Sequence, residues 1–257
     1  MFNRIEVKDL LKNALRTKFA NHNPEPCSMP FHTRLLGKDR LALYSFIHSL
    51  NTNFGTTIFE PIALKLGEER FIKKEKQFTP YKQISEQAQR VIQNIMDDLS
   101  SGNTLPAKTE EVERIRKVCR SGKMHNVKTT KVDLMFENKN GELYYIDLKS
   151  AKPNAGEFKG FKRTLLEWIA VTLANDPESK INTLIAIPYN PYAPEPYARW
   201  TIRGMLDLNE ELKVADEFWD FLCGNGTYNE LLRCFEEVGS EMREEIDTYF
   251  ERFRSIF

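Results

Sequence analysis

Three charged side chains in the middle of the chain have the types and spacing to do chemistry. Asp133 lies within one apolar stretch, and Asp147-Leu148-Lys149 closes the next one. Two carboxylates and an ammonium group at the ends of apolar strands are costly to desolvate unless they bind something. A divalent cation and a phosphate would satisfy them, so the pattern indicates a site for both.

Residues 131–152 are predicted to form the β-hairpin that positions these groups. The dipeptide Asn140-Gly141 supplies the positive φ angles that a tight hairpin turn requires, and the flanks are rich in β-branched and aromatic residues. Because side chains alternate along a strand, Asp147 and Lys149 share a face, and Asp133 points away from its apolar neighbours on the preceding strand.

The elements after the hairpin predict a mixed sheet. A helix is expected over residues 157–175, and residues 181–187 form a short apolar strand typical of a sheet interior covered on both faces. The order strand, strand, helix, strand requires a crossover helix between parallel strands, expected right-handed. From residue 209 onward the chain is predicted to be largely helical, with helices over 217–222, 228–238 and 241–253.

The N-terminal half is predicted to be mainly helical. Helices are expected over residues 3–20, 38–50, 80–100 and 110–120, and a further helix is expected to begin at a cap near Thr56 or Thr57 and to end at Gly67. Glu60 falls in the first turn of that further helix, among apolar residues. On pattern alone, Glu60 is equally well explained as an exposed glutamate favoured by the helix dipole.

Composition narrows the class of protein. The chain has 257 residues, 41% of them hydrophobic, which is enough for a sizeable core, and we expect one domain over residues 1–257. Within it, a catalytic core is expected at about 56–190 and a mostly helical C-terminal part over 205–257. No stretch is apolar enough for a membrane span, and the N-terminus does not resemble a secretory signal. The four cysteines are scattered, which favours free thiols, so we expect a cytoplasmic protein.

The net charge is zero, but the charges are unevenly distributed. Residues 108–131 contain eight Lys or Arg against three Glu, whereas residues 207–251 contain fourteen Asp or Glu against three Lys or Arg. One interpretation is chance variation among solvated helix faces. The other is a basic cleft around the hairpin with an acidic outer wall behind it.

The pattern Asp133, then Asp147-Leu148-Lys149, resembles the active site of the PD-(D/E)XK nuclease superfamily. The tripeptide alone carries little information, because the chain holds several other acidic-X-Lys triplets. Among them, the one at 147–149 closes an apolar strand, pairs with an Asp on the preceding strand and is followed by a helix and a buried strand. Val132 stands where the superfamily name has proline. The resemblance implies an α/β fold with a restriction-endonuclease-like core, a central mixed β-sheet flanked by helices, and helical N- and C-terminal extensions.

The resemblance also implies roles for these residues. Asp133 and Asp147 would hold Mg²⁺, with the backbone carbonyl of Leu148 as a third ligand. Lys149 would orient or deprotonate the attacking water and stabilise the developing charge. The alternative is a surface hairpin with a cross-strand salt bridge of little energetic value.

Within the superfamily, the chain is similar to type II restriction endonucleases over about residues 56–240. Many of these enzymes carry a glutamate on a helix ahead of the hairpin that joins the metal site, and Glu60 matches that position. The loop 149–154 and the segment 217–222 are also similar to this group. Overall likeness suggests kinship with enzymes that cleave short interrupted palindromes, with GGNCC as a first guess.

A type II restriction endonuclease would bind double-stranded DNA as a homodimer, so that two sites cut a palindrome, and a cognate methyltransferase would be its genetic partner. Candidate DNA contacts are Arg114, Arg116, Arg120, Lys123, His125, Lys128, Lys152, Asn154, Lys159, Arg163, Tyr189, Asn190 and Tyr192. Two alternatives stay open. One is a structure-specific or repair nuclease of the same fold, and the other is a non-catalytic DNA-binding module.

Overall fold

A computed structural model describes residues 2–22, 29–151, 157–197 and 204–252. Two of the predicted DNA contacts, Lys152 and Asn154, lie outside these ranges.

The strands form two sheets. In chain order they are β1 (Phe71–Phe78), β2 (Gln83–Ser85), β3 (Met124–Asn126), β4 (Val132–Asn138), β5 (Glu142–Leu148), β6 (Lys180–Ile187) and β7 (Leu212–Val214). Within the described ranges, the main sheet has five strands in the order β1-β4-β5-β6-β7, and β2 pairs with β3 in a small second sheet.

Helices precede, interrupt and follow the sheet. They are α1 (Arg4–Asn21), α2 (Pro30–Leu36), α3 (Lys38–Phe54), α4 (Glu60–Leu66), α5 (Glu86–Ser101), α6 (Lys108–Arg116), α7 (Phe158–Asn175), α8 (Asp216–Cys223), α9 (Thr227–Glu241) and α10 (Arg243–Glu251).

The predicted hairpin and crossover are confirmed. Strands β4 and β5 pair antiparallel, and Gly141 in the turn between them has a φ of 73°. Strand β5 then pairs parallel with β6, and α7 connects the two. The mixed sheet therefore follows the strand order expected from the sequence.

Both faces of the sheet are covered by helices. On one face, Tyr145 of β5 packs in a cluster with side chains of α5 and α7, including Ile92 and Trp168. On the other face, Ile146 packs with side chains of α1, α4, α8 and α9, including Trp219. This arrangement is the α/β fold with a central mixed sheet that the sequence predicted.

The helical segment before Glu60 differs from the prediction. We expected a break at residues 51–55 and a new cap at Thr56 or Thr57. Instead α3 continues to Phe54, and residues 55–59 form a π-helical turn that runs directly into α4. The hydroxyl of Thr57 bonds back to the carbonyl of Asn53, so it supports the continuing helix rather than capping a new one.

Strand β1 is absent from the prediction. It contains three lysines and a glutamate in eight residues, so apolar and polar residues do not alternate along the strand. Charged residues are common on edge strands because they discourage pairing with other chains. The sequence signal for β1 is weak for that reason.

The acidic C-terminal part pairs with α1. Four basic residues of α1, spaced four apart, lie along one stripe of the helix and meet glutamates of α9 and α10. The pairs are Arg4 with Glu230 and Glu237, Lys8 with Glu237 and Glu241, Lys12 with Glu241, and Arg16 with Glu245. Four of the fourteen acidic residues of the expected outer wall are therefore paired with α1 within the fold.

A buried ionic network ties the crossover helix to the far edge of the sheet. The Nζ atom of Lys162 on α7 lies 2.5 Å from Glu111 of α6 and 2.7 Å from Glu211, just before β7. Glu211 also accepts a bond of 2.9 Å from Lys108. Lys108 belongs to the basic run 108–131, and Lys162 belongs to a second basic run, 149–163, with five Lys or Arg against one Glu. In the structure both lysines hold helices together.

Candidate active site

The candidate site lies at the end of the sheet where β1 and β5 end and β4 begins. Asp133 is the second residue of β4, and Asp147 is the next-to-last residue of β5. Because β4 and β5 are antiparallel, these two positions meet at the same end of the sheet. Lys149 follows immediately after β5, so the three residues predicted from the sequence come together.

Hydrogen bonds fix the geometry of this trio. The Nζ atom of Lys149 lies 2.8 Å from Oδ1 of Asp147. The backbone N–H of Lys149 donates a hydrogen bond of 2.9 Å to the carbonyl of Ala186 on β6. The backbone N–H of Leu148 donates to Oδ2 of Asp133 at 2.9 Å. The ammonium group of Lys149 also lies 4.7 Å from the centre of the Phe161 ring, at the start of α7.

The two aspartates bring two negative charges together in a partly buried site. Asp147 is only 6% exposed. Burial is the main cause that raises the pKa of Asp147, Asp133 raises that pKa further, and Lys149 opposes both effects. Negative charge held in this way favours an added cation.

Glu60 reaches the same site from the other side of the sheet end. The π-helical turn at 55–59 leads into α4, and Glu60 is only 2% exposed. The interpretation of Glu60 as an exposed first-turn glutamate is therefore wrong. Its Oε1 accepts a bond of 2.9 Å from Nε2 of Gln77, and its Oε2 is buried without a hydrogen-bond partner among the residues that the structure describes. Burial, and then the charge of Asp133, raise the pKa of Glu60.

Gln77 is a site residue that the sequence did not reveal. Its Nε2 also donates to Oδ1 of Asp133 at 3.2 Å, so the amide lies between Glu60 and Asp133. It lies near the end of β1, a strand that the sequence does not predict. A polar residue within a lysine-rich edge strand shows no pattern that marks it as functional.

The donor chemistry fits a hard divalent cation. Glu60, Asp133 and Asp147 supply carboxylate oxygens, the class of ligand that Mg²⁺ prefers, and Oε2 of Glu60 has an unused lone pair. In the described ranges, no three His, Cys, Asp or Glu side chains already converge closely enough to hold an ion. The amide of Gln77 lies between two of the carboxylates. Small side-chain movements would therefore have to accompany binding.

Comparison with known proteins decides the family. The family described as "Type II restriction endonuclease, HinfI" matches residues 3–239. The chain belongs to this family of type II restriction endonucleases.

Individual relatives agree with this assignment. The chain is 31% identical to the type II restriction enzyme MjaII of Methanocaldococcus jannaschii over 95% of the chain and 71% of that enzyme. It is 24% identical to HgiCII of Herpetosiphon aurantiacus over 84% of the chain and 80% of the relative, and 23% identical to HgiEI of the same organism. The chain is thus a nuclease of a restriction system, and its substrate is double-stranded DNA. No helix in the described ranges is long and apolar enough to cross a membrane.

In this restriction endonuclease, a groove of about 970 Å³ opens beside Lys149. Tyr189, one of the predicted DNA contacts, lines it together with Lys149 and Ser150, and apolar side chains from α3, α8 and α9 form its floor. Asn190 lies next to Tyr189, but its amide bonds to the carbonyl of Glu195 and to the backbone of Tyr192, which shapes the loop.

Several basic residues predicted to contact DNA are engaged within the fold. The guanidinium group of Arg116 bonds to the carbonyls of Pro177 and Ser179, and that of Arg120 to the carbonyls of Ala174 and Asn175 at the end of α7. Such bonds satisfy the last carbonyls of a helix and the turn after it. Arg116 and Arg120 are therefore held in place by the protein.

The remaining basic candidates are more available. Lys123, Lys128 and Lys159 are exposed, and His125 is half-buried on β3. Arg163 donates to the side chain of Gln93 on α5 at 2.7 Å. The exposed lysines are the stronger candidates for phosphate contacts, because their charges are free to face a polyanion.

Proposed function

We propose that the chain is a Mg²⁺-dependent PD-(D/E)XK endonuclease that cuts both strands of DNA at a short palindromic site. The observation that carries this proposal is the convergence of Asp133, Asp147 and Lys149 at one end of the sheet, with Glu60 buried beside them. A surface hairpin with a salt bridge of little energetic value would not bury Asp147 next to a second aspartate and a buried glutamate.

Metal binding and catalysis fall to different groups. The ion would be held by the carboxylates of Asp133, Asp147 and Glu60 and by the backbone carbonyl of Leu148. Bound Mg²⁺ would stabilise the charge that develops on the phosphate. Lys149, fixed by Asp147 and by the ring of Phe161, is placed to orient or deprotonate a water and to stabilise charge on the phosphate oxygens.

Two copies are needed to cut both strands of a palindrome symmetrically, so we propose a homodimer of single-domain chains. Large apolar side chains on α2 and α3 support a contact between copies: Phe31, Leu35, Leu36, Leu43, Tyr44 and Ile47 are exposed. Sedimentation of the wild type and of a Leu43→Glu, Ile47→Glu variant tests it. A monomeric wild type contradicts the proposed dimer.

The first candidate for the recognition sequence is GGNCC, from the overall likeness of the chain to enzymes that cut interrupted palindromes. We propose the exposed lysines 123, 128 and 159 as phosphate contacts, and a cognate methyltransferase as the genetic partner that protects the host DNA.

Cleavage of genomic DNA followed by sequencing of the ends tests the function. With Mg²⁺ we expect discrete ends that share one palindrome, and none with EDTA. Lys149→Ala should abolish cutting, whereas Lys159→Ala, on the neighbouring helix, should keep the same ends. Random ends, or cutting only at branched DNA, would favour a structure-specific nuclease, and binding without cutting would favour a DNA-binding module.

A further inference from the structure

Gln77 lies opposite Asp133 on the neighbouring strand. Strands β1 and β4 pair antiparallel, with Lys76 opposite Leu134 and Phe78 opposite Val132, so the position between them faces Asp133. From there the terminal amide reaches both Asp133 and Glu60, at 3.2 and 2.9 Å. Gln77 is thus the link between the carboxylate on the sheet and the carboxylate on α4.

The backbone at Gln77 has an unusual conformation. Its φ is 53°, in the left-handed region that residues other than glycine rarely adopt. Such conformations persist where the surroundings impose them, and they concentrate at functional sites. At the end of an edge strand, a glycine or asparagine would fit this backbone at lower cost. The presence of glutamine therefore points to a task for its long side chain.

The surroundings of the amide indicate that task. One neutral amide group donates to two carboxylates, while Oε2 of buried Glu60 has no hydrogen-bond partner within the described part of the chain. A carboxamide carries a donor and an acceptor on the same group, and a rotation about its last torsion exchanges them. An NH₂ group suits two carboxylates without a cation, and a carbonyl oxygen suits a hard cation between them.

We propose that Gln77 is a further metal ligand of the site, acting through its side-chain oxygen. Its amide donates to Glu60 and Asp133 in this structure, and it would turn to present Oε1 to a divalent cation held by the carboxylates of the site. This inference rests on the proposed function, and it adds a residue from a strand that carries no part of the Asp133, Asp147 and Lys149 pattern.

Metal binding without DNA tests the assignment. Calorimetric titration with Ca²⁺ and Mn²⁺ would compare the wild type with Gln77→Met, which keeps the length of the side chain and removes the amide. We expect the affinity of Gln77→Met for both ions to fall about tenfold or more, the size typical of residues that support metal ligands. Gln83→Met, at an exposed strand position of β2, is the matched control and should bind as the wild type does.

A second variant separates the side chain from the backbone. Gln77→Gly removes the amide and also relieves the left-handed conformation, so it should weaken Ca²⁺ binding to the same extent as Gln77→Met although the backbone strain is gone. If Gln77→Met and Gln77→Gly bind metal as the wild type does, the amide is only a structural link and the inference fails. If the wild type itself binds neither ion, the proposed metal-dependent function fails as well.

Discussion

The backbone N–H of Leu148 donates a hydrogen bond to Oδ2 of Asp133 across the hairpin, at 2.9 Å. The strand that carries Asp147 therefore also orients the carboxylate of Asp133. A one-residue shift of register would break this bond and turn Asp147 to the opposite face. The position of the two carboxylates is a property of the hairpin as a whole.

Asp133→Asn tests the charge at this position while keeping the shape. The amide oxygen of asparagine can still accept the bond from Leu148, so the melting temperature should stay within a few degrees. Cleavage of plasmid DNA should fall at least ~100-fold, because a neutral amide is a poor ligand for a hard cation. Full activity in the variant would contradict the role of Asp133.

Glu60→Gln should separate stability from activity. The wild-type carboxylate is buried near Asp133, and its Oε2 has no hydrogen-bond partner among the described residues. Removing its charge should stabilise the metal-free protein by about 1 kcal/mol in urea unfolding, since a desolvated charge beside another anion is costly. Cleavage should fall ~100-fold. A variant that is less stable than the wild type would show that Glu60 has a structural role instead.

Lys162→Met should be strongly destabilising. It leaves Glu111 and Glu211 buried with one lysine fewer, and removal of one member of a buried ion pair costs about 3–5 kcal/mol. The matched control is Lys159→Met, at an exposed position of the same helix, which should change the free energy of unfolding by less than about 0.5 kcal/mol. Similar losses in both variants would mean that the network contributes little.

The contact between α1 and α9 should respond to acid. Hydrogen bonds from Lys12 and then Lys8 lower the pKa of Glu241 to about 2. Because this folded-state pKa lies below the ordinary value of 4.5, the charged form stabilises the fold above pH 4.5, and this contribution is lost as the pH falls towards 2. The urea concentration at the midpoint of unfolding should therefore fall less steeply with decreasing pH, from pH 5 to pH 2, for Glu241→Gln than for the wild type. Glu236→Gln, exposed on the same helix, should keep the wild-type slope.

Sequence reasoning succeeded where the signal is local. The Asn140-Gly141 turn, the alternation around Asp147 and the apolar strand 181–187 each follow from neighbouring residues, and together they fix the centre of the sheet. The trio Asp133, Asp147 and Lys149 could be placed together for that reason.

What the sequence concealed depends on distant partners. Lys162 and Arg120 were indistinguishable from solvent-exposed basic residues, because Glu211 and the carbonyls at the end of α7 are far away in the chain. Gln77 was hidden since its strand is an edge strand. The π-helical turn before Glu60 was missed because Asn51 and Gly55 normally end helices and Thr57 normally begins one, whereas here the hydroxyl of Thr57 bonds back to the carbonyl of Asn53.

The stripe of basic residues on α1 joins parts of the chain that are far apart in sequence. Its partners at 230–245 follow Arg4 by more than 200 residues. Val7 and Leu11 of α1 pack in the same cluster as Ile62 and Ala63, on the helix that carries Glu60. The helix behind Glu60 is therefore supported by a segment that α9 and α10 hold in place. A carboxylate of the candidate site thus depends, through two layers of packing, on residues that contribute no atom to the site.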